Sequence, residues 1–298
     1  MEIFNWEYGW FKGNMHTHTT ASDGALTPEE AIRDYWEKEY DFLVLTDHNK
    51  LLPESEYRGM LVLRGVELAY NDVPHRKAYH FIAVDPDDGI MDYTDHEFGQ
   101  NPQAIIDHIL AHHGYCILAH PYWSLLSPED MMKLHGYEAV EVMNSVSDPA
   151  NRGDSSFALD VMMAQGHPMP MVASDDSHHY NGENGWAATW VNAASHSKAD
   201  IMEALHAGRF YASEGPRFKQ LKVEDGQIIV RSTPVHTINF LSDAFSGLGR
   251  KVNCELNRNY ACYNISPRDS FVRVQLTDFN GRRAWGPYID VRGLARKA

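Results

Sequence analysis

Residues 42–48 read FLVLTDH, so that four apolar residues are followed directly by Thr46, Asp47 and His48. Apolar runs with polar residues at or near their ends occur six more times in the first 180 residues. They are FKGNMHTH (11–18), MLVLRGVEL (60–68), AYHFIAV (78–84), YCILAHP (115–121), AVEVMN (139–144) and PMVASDDSH (170–178). Near-continuous apolar runs of this length predict strands of a parallel sheet that is buried on both faces.

Amphipathic stretches between these runs carry the start signals of helices. Thr27-Pro28-Glu29-Glu30 is a capping box with proline at the first helical position, and Asn101-Pro102 and Ser127-Pro128 begin later helices in the same way. Strands that alternate with helices predict an α/β fold, here a distorted (β/α)7 barrel with parallel strands over residues 1–213. No GxGxxG or GxxxxGKS/T motif follows a strand, which argues against a nucleotide-binding Rossmann or P-loop fold.

The pattern changes after residue 213. EGPRFKQLKVEDGQIIVRS (214–232), TINFLSD (237–243) and SFVRVQLTDFNGRRAWGPYIDVRG (270–293) alternate apolar and polar residues, with Asp-Gly and Asn-Gly turn signals. This pattern predicts a small antiparallel, β-sandwich-like domain over residues 214–298. Gly215-Pro216 is the predicted hinge between it and the barrel.

Composition limits the class of partner. The 298 residues include 26 Lys and Arg against 41 Asp and Glu, a formal net charge of −15. Such a field repels long polyanions, so we expect neither long nucleic acid nor a membrane as a partner. It leaves open a small phosphorylated substrate if bound metals supply positive charge locally.

The three cysteines form no CxxC pair, and no signal peptide or membrane-spanning run is visible, so we expect a cytoplasmic protein. The sequence does not indicate the oligomeric state.

Ligand-type side chains lie on or just after the apolar runs. In a parallel barrel the carboxyl ends of all strands meet at one mouth, where such enzymes place their active sites. Buried Asp and Glu are costly unless they are paired or bind a metal, so this pattern predicts a metal site. The candidate ligands are His16, His18, Asp23, His48, Glu67, His80, His120, Asp176 and His178. Most of the remaining histidines, among them His96 and His108, are interpreted as surface or packing residues, whereas His179 lies beside the predicted site.

The ordered motifs resemble those of the polymerase-and-histidinol-phosphatase (PHP) domain family. They are HTHTTASDG (16–24), TDHN (46–49), GVE (65–67), HP (120–121) and SDDSH (174–178). The resemblance covers residues 11 to about 213. In addition, GRFYASEGPRF (208–218) and the predicted β-sandwich-like domain over residues 214–298 (the β module) are similar to the branch that includes carbaryl-hydrolase-like PHP proteins.

The resemblance implies two to three divalent transition-metal ions, for which imidazole and carboxylate ligands suit Zn, Mn or Fe. It assigns the first metal to His16, His18, Glu67 and Asp176. It assigns the second metal to His80, His120 and a bridging Glu67. It assigns the third metal to Asp23, His48 and His178, although some family members have His at the position of Asp23. Asp47 and Asp175 are interpreted as acceptors that orient histidine rings.

The function that the resemblance implies is phosphoester hydrolysis by metal-activated hydroxide, on a small substrate such as a nucleotide or a similar phosphomonoester or diester. Glu67, Asp176 and His178 would be catalytic, with Arg152 and Arg217 as candidate phosphate contacts. A polarised carbonyl is attacked by the same hydroxide, so a carbamate, ester or amide hydrolase is the first alternative. A metal-stabilised binding module is the second, which the charge and the complete ligand set disfavour.

Overall fold

The computed structural model describes residues 1–93, 101–244, 250–254 and 259–295. The strands are β1 (Gly9–Asn14), β2 (Phe42–Leu45), β3 (Ser55–Tyr57), β4 (Met60–Asp72), β5 (Lys77–Val84), β6 (Tyr115–Leu118), β7 (Ala139–Asn144), β8 (Met171–Ser174), β9 (Ala188–Ala193), β10 (Phe210–Ser213), β11 (Phe218–Glu224), β12 (Gln227–Ser232), β13 (Thr237–Leu241), β14 (Lys251–Asn253), β15 (Tyr260–Asn264), β16 (Phe271–Thr277) and β17 (Arg283–Asp290). Each of the seven apolar runs overlaps one of these strands, as their composition predicts.

The first three helices in chain order begin at the predicted caps. The helices are α1 (Pro28–Glu37), α2 (Pro102–Ala111), α3 (Pro128–Met132), α4 (Ser156–Ala164) and α5 (Lys198–His206). The Thr27 side chain accepts a hydrogen bond from the Glu30 N–H, and the Glu30 carboxylate accepts one from the Thr27 N–H. This reciprocal pair satisfies two N–H groups that would otherwise lack partners at the start of α1.

In the described part of the chain, 14 strands form one mixed sheet with the order β14-β13-β16-β17-β10-β9-β1-β2-β4-β5-β6-β7-β8, and β3 pairs with β4. The pairs β1–β2, β2–β4, β6–β7 and β7–β8 are parallel. The expectation of an all-parallel barrel is wrong at β5, which is antiparallel to β4 and β6. Residues 73–76 join β4 to β5 by a single 3-10 turn, and a parallel crossover needs roughly a dozen residues.

Among the described residues the sheet does not close into the expected (β/α)7 barrel. The path of paired strands ends at β8, although β8 lies beside β9. The Thr189 hydroxyl of β9 bridges the two strands, because it lies 3.1 Å from both the N and the O of Ala173 in β8. Because the Thr189 side chain takes these hydrogen bonds of the Ala173 backbone, the backbones of β8 and β9 do not form a ladder here.

The sheet continues across the predicted boundary at residue 213, because β10 pairs with both β9 and β17. Beyond it, β11, β12 and β15 form a second antiparallel sheet. Alternate apolar side chains of the two sheets, such as Val230 and Val274, pack into one cluster that also includes Phe4. Backbone pairing therefore joins the two predicted domains, and the division between them at residue 213 stays a prediction.

The strand directions define one edge of the sheet as the place for a site. The parallel strands β1, β2, β6, β7 and β8 end there, and β9 begins there. The β4–β5 hairpin reaches past the end of β2, since Leu45 is aligned with Arg64 and β4 continues to Asp72. No helix in the described ranges is long and apolar enough to cross a bilayer.

Candidate metal centre

The structure brings all nine predicted ligands together at this edge, in overlapping groups of three or four. His16 and His18 follow β1, and His48 follows β2. Glu67 lies within β4 and His80 within β5, where the hairpin passes the other strand ends. The antiparallel direction of β5 therefore serves the site, because it returns the chain to the same edge within a few residues.

Four donor atoms converge in the first group. His16 Nε2 and His18 Nε2 lie 3.1 Å apart. Each lies 3.1–3.2 Å from Glu67 Oε2 and 3.2 Å from Asp176 Oδ1. Ligands about 2.0–2.1 Å from a tetrahedral zinc are separated by roughly 3.3 Å, so these spacings fit a transition-metal ion. Asp176 Oδ1 is also buried without a well-formed hydrogen bond, as expected of an atom reserved for a cation.

Glu67 also takes part in a second group through its other oxygen. Its Oε1 lies 2.8 Å from His80 Nδ1 and 3.3 Å from His120 Nε2. The carboxylate is 1% exposed, so water does not satisfy it. Because Oε2 faces the first group and Oε1 the second, this carboxylate could contact a cation held by either group.

The third group is the most open. Asp23 Oδ2 lies 3.5 Å from His178 Nε2 and 3.8 Å from His48 Nε2, and Asp23 Oδ1 lies 3.4 Å from His18 Nδ1. The side chain of Asp23 is 54% exposed. His18 links this group to the first one, since its two ring nitrogens face different carboxylates.

The buried carboxylates of the cluster raise the pKa of the imidazoles of His16 and His18. Burial lowers the pKa of His16, but the carboxylates of Asp176 and Glu67 outweigh it, so the pKa is raised well above its usual value. The same balance raises the pKa of His18 to about 9. Burial raises the pKa of Glu67, but the histidines around it, chiefly His16, hold the net pKa well below its usual value. A divalent ion would replace protons that these imidazoles hold.

Glu141 is a functional residue that the sequence analysis missed. Its side chain is fully buried in β7, where Oε1 lies 2.9 Å from His16 Nδ1. Its Oε2 accepts hydrogen bonds from the His120 N–H at 2.9 Å and from Asn144 Nδ2 at 3.0 Å. Such a carboxylate fixes the orientation of a metal-binding ring and raises its basicity. The signal in the sequence is a lone charged residue inside the apolar run AVEVMN.

The interpretation of Asp47 and Asp175 as acceptors for histidine rings is wrong. Asp47 accepts hydrogen bonds from the N–H and hydroxyl groups of Thr19 and Ser22, in the loop before Asp23. Asp175 accepts the N–H groups of residues 185–187. Burial raises the pKa of Asp175 to about 6. Both carboxylates hold the loops that carry ligands, and they contact none of the histidine rings in the described chain.

Two of the ligand positions have strained backbones. His120 has φ of 30° and Asp176 has φ of 52°, both in the left-handed region that side chains with a Cβ rarely adopt. The Asp176 N–H donates to the His16 carbonyl at 3.0 Å, and the His120 N–H is held by Glu141. Strain of this kind persists only where the surroundings impose it, and it is concentrated at functional sites.

A pocket of about 310 Å³ opens over the cluster. Its lining consists of seven of the ligands, namely Asp23, His48, Glu67, His80, His120, Asp176 and His178, and also of Trp123, Val146, Ser147 and His179. The predicted phosphate contacts Arg152 and Arg217 are both exposed, and neither lines the pocket. The Arg217 guanidinium lies 5.3 Å from the centroid of the Trp190 ring instead. His108 packs on α2 against His112, as a packing residue would, and His96 lies outside the described residues.

Neither a protein-family model nor a curated protein sequence matches this chain. Solved structures do match its fold. A two-domain protein from Bacteroides vulgatus that contains a predicted PHP-like metal-dependent phosphoesterase aligns over 97% of both chains, with a TM-score of 0.57 and 16% identity. An amidohydrolase from Chromobacterium violaceum aligns over 66% of this chain and 96% of its own, with a TM-score of 0.44 and 16% identity. PsfC from Pseudomonas syringae aligns over 67% and 89%, with a TM-score of 0.45 and 16% identity.

The chain therefore has a PHP-like fold, which confirms at the level of the fold what the sequence motifs indicate. The alignment with the Bacteroides vulgatus protein covers both the region of the ligands and the β module. The narrower resemblance to the carbaryl-hydrolase-like branch stays a prediction.

Proposed function

We propose that this chain is a metal-dependent phosphoesterase that hydrolyses a small phosphorylated substrate, such as a nucleotide or a similar phosphomonoester or diester. The observation that carries the proposal is the Glu67 carboxylate, whose two oxygens face two groups of imidazole and carboxylate donors. The Bacteroides vulgatus protein, which shares the fold, contains a domain of this predicted class, and this supports the proposal.

The donor chemistry fits two to three divalent transition-metal ions such as Zn, Mn or Fe. When bound, ions of this kind activate water at neutral pH and neutralise the charge on a phosphoryl group. The side chains of this chain set the geometry of the site. Glu67 and Asp176 hold the first and second groups of ligands at a fixed spacing, and the Glu141 carboxylate keeps the His16 ring in position. No nucleophile from the protein is needed in this scheme.

The size and charge of the site favour a small substrate. A pocket of about 310 Å³ is at the lower end of the range for small-molecule sites. The net charge of −15 disfavours a long polyanion, since bound metals reverse the field only within about 8–10 Å. Activity should therefore be higher on mononucleotides or short fragments than on long single-stranded DNA or RNA.

One observation favours the second candidate function, hydrolysis of a carbamate, ester or amide at the same cluster. The described residues that line the pocket include neither Lys nor Arg. A phosphate would then depend on the metals alone for positive charge, whereas an uncharged carbonyl compound needs no further cation.

Turnover of matched chromogenic substrates separates the two functions. We expect the protein loaded with Zn, Mn or Fe to hydrolyse p-nitrophenyl phosphate or bis-p-nitrophenyl phosphate faster than p-nitrophenyl acetate or a p-nitrophenyl carbamate. Chelation should abolish turnover, and Asp176→Asn should remove it in the metal-supplied protein. A clear preference for the carbonyl substrates would replace phosphoester hydrolysis with the second function. Turnover that survives exhaustive chelation would overturn both.

A further inference from the structure

Trp123 stands out among the pocket residues that are not candidate ligands. The others are Val146, Ser147 and His179. Trp123 is 44% exposed, although an indole is among the largest apolar groups that a chain can bury. An exposed aromatic residue in the lining of a polar pocket is a feature of binding sites, where it contacts the apolar part of a ligand.

The Trp123 ring lies directly beside two ligands of the second group. Its centroid is 5.0 Å from that of His120 and 5.9 Å from that of His80, and the interplanar angles are 77° and 63°. Edge-to-face contacts on this side hold the ring close to the metal positions. Because Trp123 also lines the pocket, its partly exposed indole borders the space above these ligands.

The loop that carries Trp123 is held rigidly. Ser124 Oγ lies 3.0 Å from His120 Nδ1, and the Ser124 N–H donates to the His120 carbonyl at 3.0 Å. The Ser124 carbonyl accepts a hydrogen bond from the Ala78 N–H of β5 at 3.1 Å. A side chain on such a loop is pre-organised, so little conformational entropy is lost when a ligand stacks on it.

We infer that Trp123 is a specificity-determining residue and that the preferred substrate carries a planar aromatic ring next to its scissile phosphate. The inference rests on the proposed function and narrows its substrate class. A nucleobase and a simple aryl group share this chemistry. Stacking suits a pocket without a basic side chain in its described lining, because the ring binds through its face and needs no charge.

Binding of phosphonates tests the inference without turnover. Phenylphosphonate and methylphosphonate carry the same anion and differ in the ring, and calorimetry on the metal-loaded protein measures both. We expect phenylphosphonate to bind about 10-fold more tightly, in the range that one stacked ring supplies. Trp123→Ala should remove this ratio and leave methylphosphonate binding unchanged, whereas Trp123→Phe should keep most of it.

The control is Tyr122→Ala, because Tyr122 is in the same loop, is 48% exposed and does not line the pocket. This variant should keep the ratio. Equal binding of the two phosphonates to the unaltered protein, or a ratio unaffected by Trp123→Ala, would overturn the inference. Failure of both phosphonates to bind would instead refute the proposed phosphoesterase function.

Kinetics then distinguish the two sources of the ring. A nucleoside 5′-monophosphate is compared with ribose 5-phosphate, and phenyl phosphate with glycerol phosphate. We expect Trp123→Ala to lower kcat/KM about 10-fold for the member of each pair whose ring stacks, and to leave the ring-free member unchanged. An effect confined to one pair identifies a nucleobase or an aryl group. An equal loss on all four substrates would show a merely structural role and would contradict the inference.

Discussion

Two groups of charged side chains, one around the buried Arg273 and one at the candidate metal centre, differ in how their charge is satisfied. At the junction of α4 and β16, Arg273 donates to both oxygens of Asp160, at 2.8 and 2.7 Å. The Tyr288 hydroxyl donates to the same carboxylate at 3.0 Å. At the candidate metal centre, by contrast, Asp176 Oδ1 lacks a well-formed hydrogen bond, and two imidazole nitrogens face each other at 3.1 Å.

The difference distinguishes a charge group that the chain itself satisfies from one that is suited to bind a cation. An ion pair whose hydrogen bonds are complete needs nothing beyond the chain, and this one joins β16 of the β module to α4. In the second group, at the candidate metal centre, Asp176 Oδ1 lacks a well-formed hydrogen bond and imidazole nitrogens face one another, an arrangement that a bound cation would satisfy. Substitutions in the first group should therefore lower stability, and those in the second should lower metal content and activity.

The largest effect is expected from Glu67→Gln. The neutral amide removes a bridging charge from two groups at once, so we expect loss of at least one metal equivalent and a fall in turnover of about 1,000-fold or more. Elemental analysis of the purified protein and phosphate-release kinetics measure the two effects. Glu56→Gln, at an exposed position of β3, is the matched control and should change neither. Full metal content in Glu67→Gln would contradict the bridging role.

Arg273→Met should give the opposite result. Because Arg273 is fully buried, its removal leaves Asp160 without its ion-pair partner, and we expect the free energy of unfolding to fall by about 3 kcal/mol. Metal content per folded molecule should not change. Denaturant unfolding of the metal-loaded protein measures the loss. The double variant Arg273→Met/Asp160→Leu should recover part of it, and a double variant no more stable than the single one would argue against this account.

A smaller effect is expected from Glu141→Gln, which weakens the orientation of His16 without removing a ligand. Loss of such a partner lowers metal affinity by about 10- to 100-fold. Competition with a chromophoric chelator measures it. Glu138→Gln, on the same approach to β7 but bonded to His206 near the surface, is the control and should bind metal normally. Unchanged affinity in Glu141→Gln would show that this carboxylate only fills space.

The smallest expected effect is the release of protons from the site when a metal ion binds. The raised pKa of His18, about 9, means that this ring is protonated at pH 7 in the metal-free chain and must lose its proton to bind an ion. Metal binding at pH 7 should therefore release at least one proton, and affinity should rise as the pH increases toward 9. Calorimetry in two buffers of different ionisation enthalpy measures the release. A heat of binding that is the same in both buffers would rule out this proton exchange.

The sequence analysis located the site more completely than it located the fold. All nine candidate ligands converge. Most of them follow strands that end at one edge of the sheet, whereas Glu67 and His80 lie within β4 and β5 and reach this edge through the hairpin that these strands form. The sequence analysis did not find Glu141, whose role depends on a contact with a residue 125 positions away. It also proposed Arg152 and Arg217 as phosphate contacts, but neither lines the pocket. This prediction failed because no local sequence pattern indicates where the side chain of a surface arginine points.

By itself, the sequence determined the strands of the seven apolar runs, the starts of the first three helices and the side chains that are candidate ligands, since apolar runs, capping boxes and ligand motifs are local features. Only the tertiary structure decided the antiparallel direction of β5, the missing ladder between β8 and β9, and the pairing of β10 with β17 across the predicted boundary. The physical reason is that strand direction and sheet closure depend on hydrogen bonds between distant segments, which leave no signal in either segment alone.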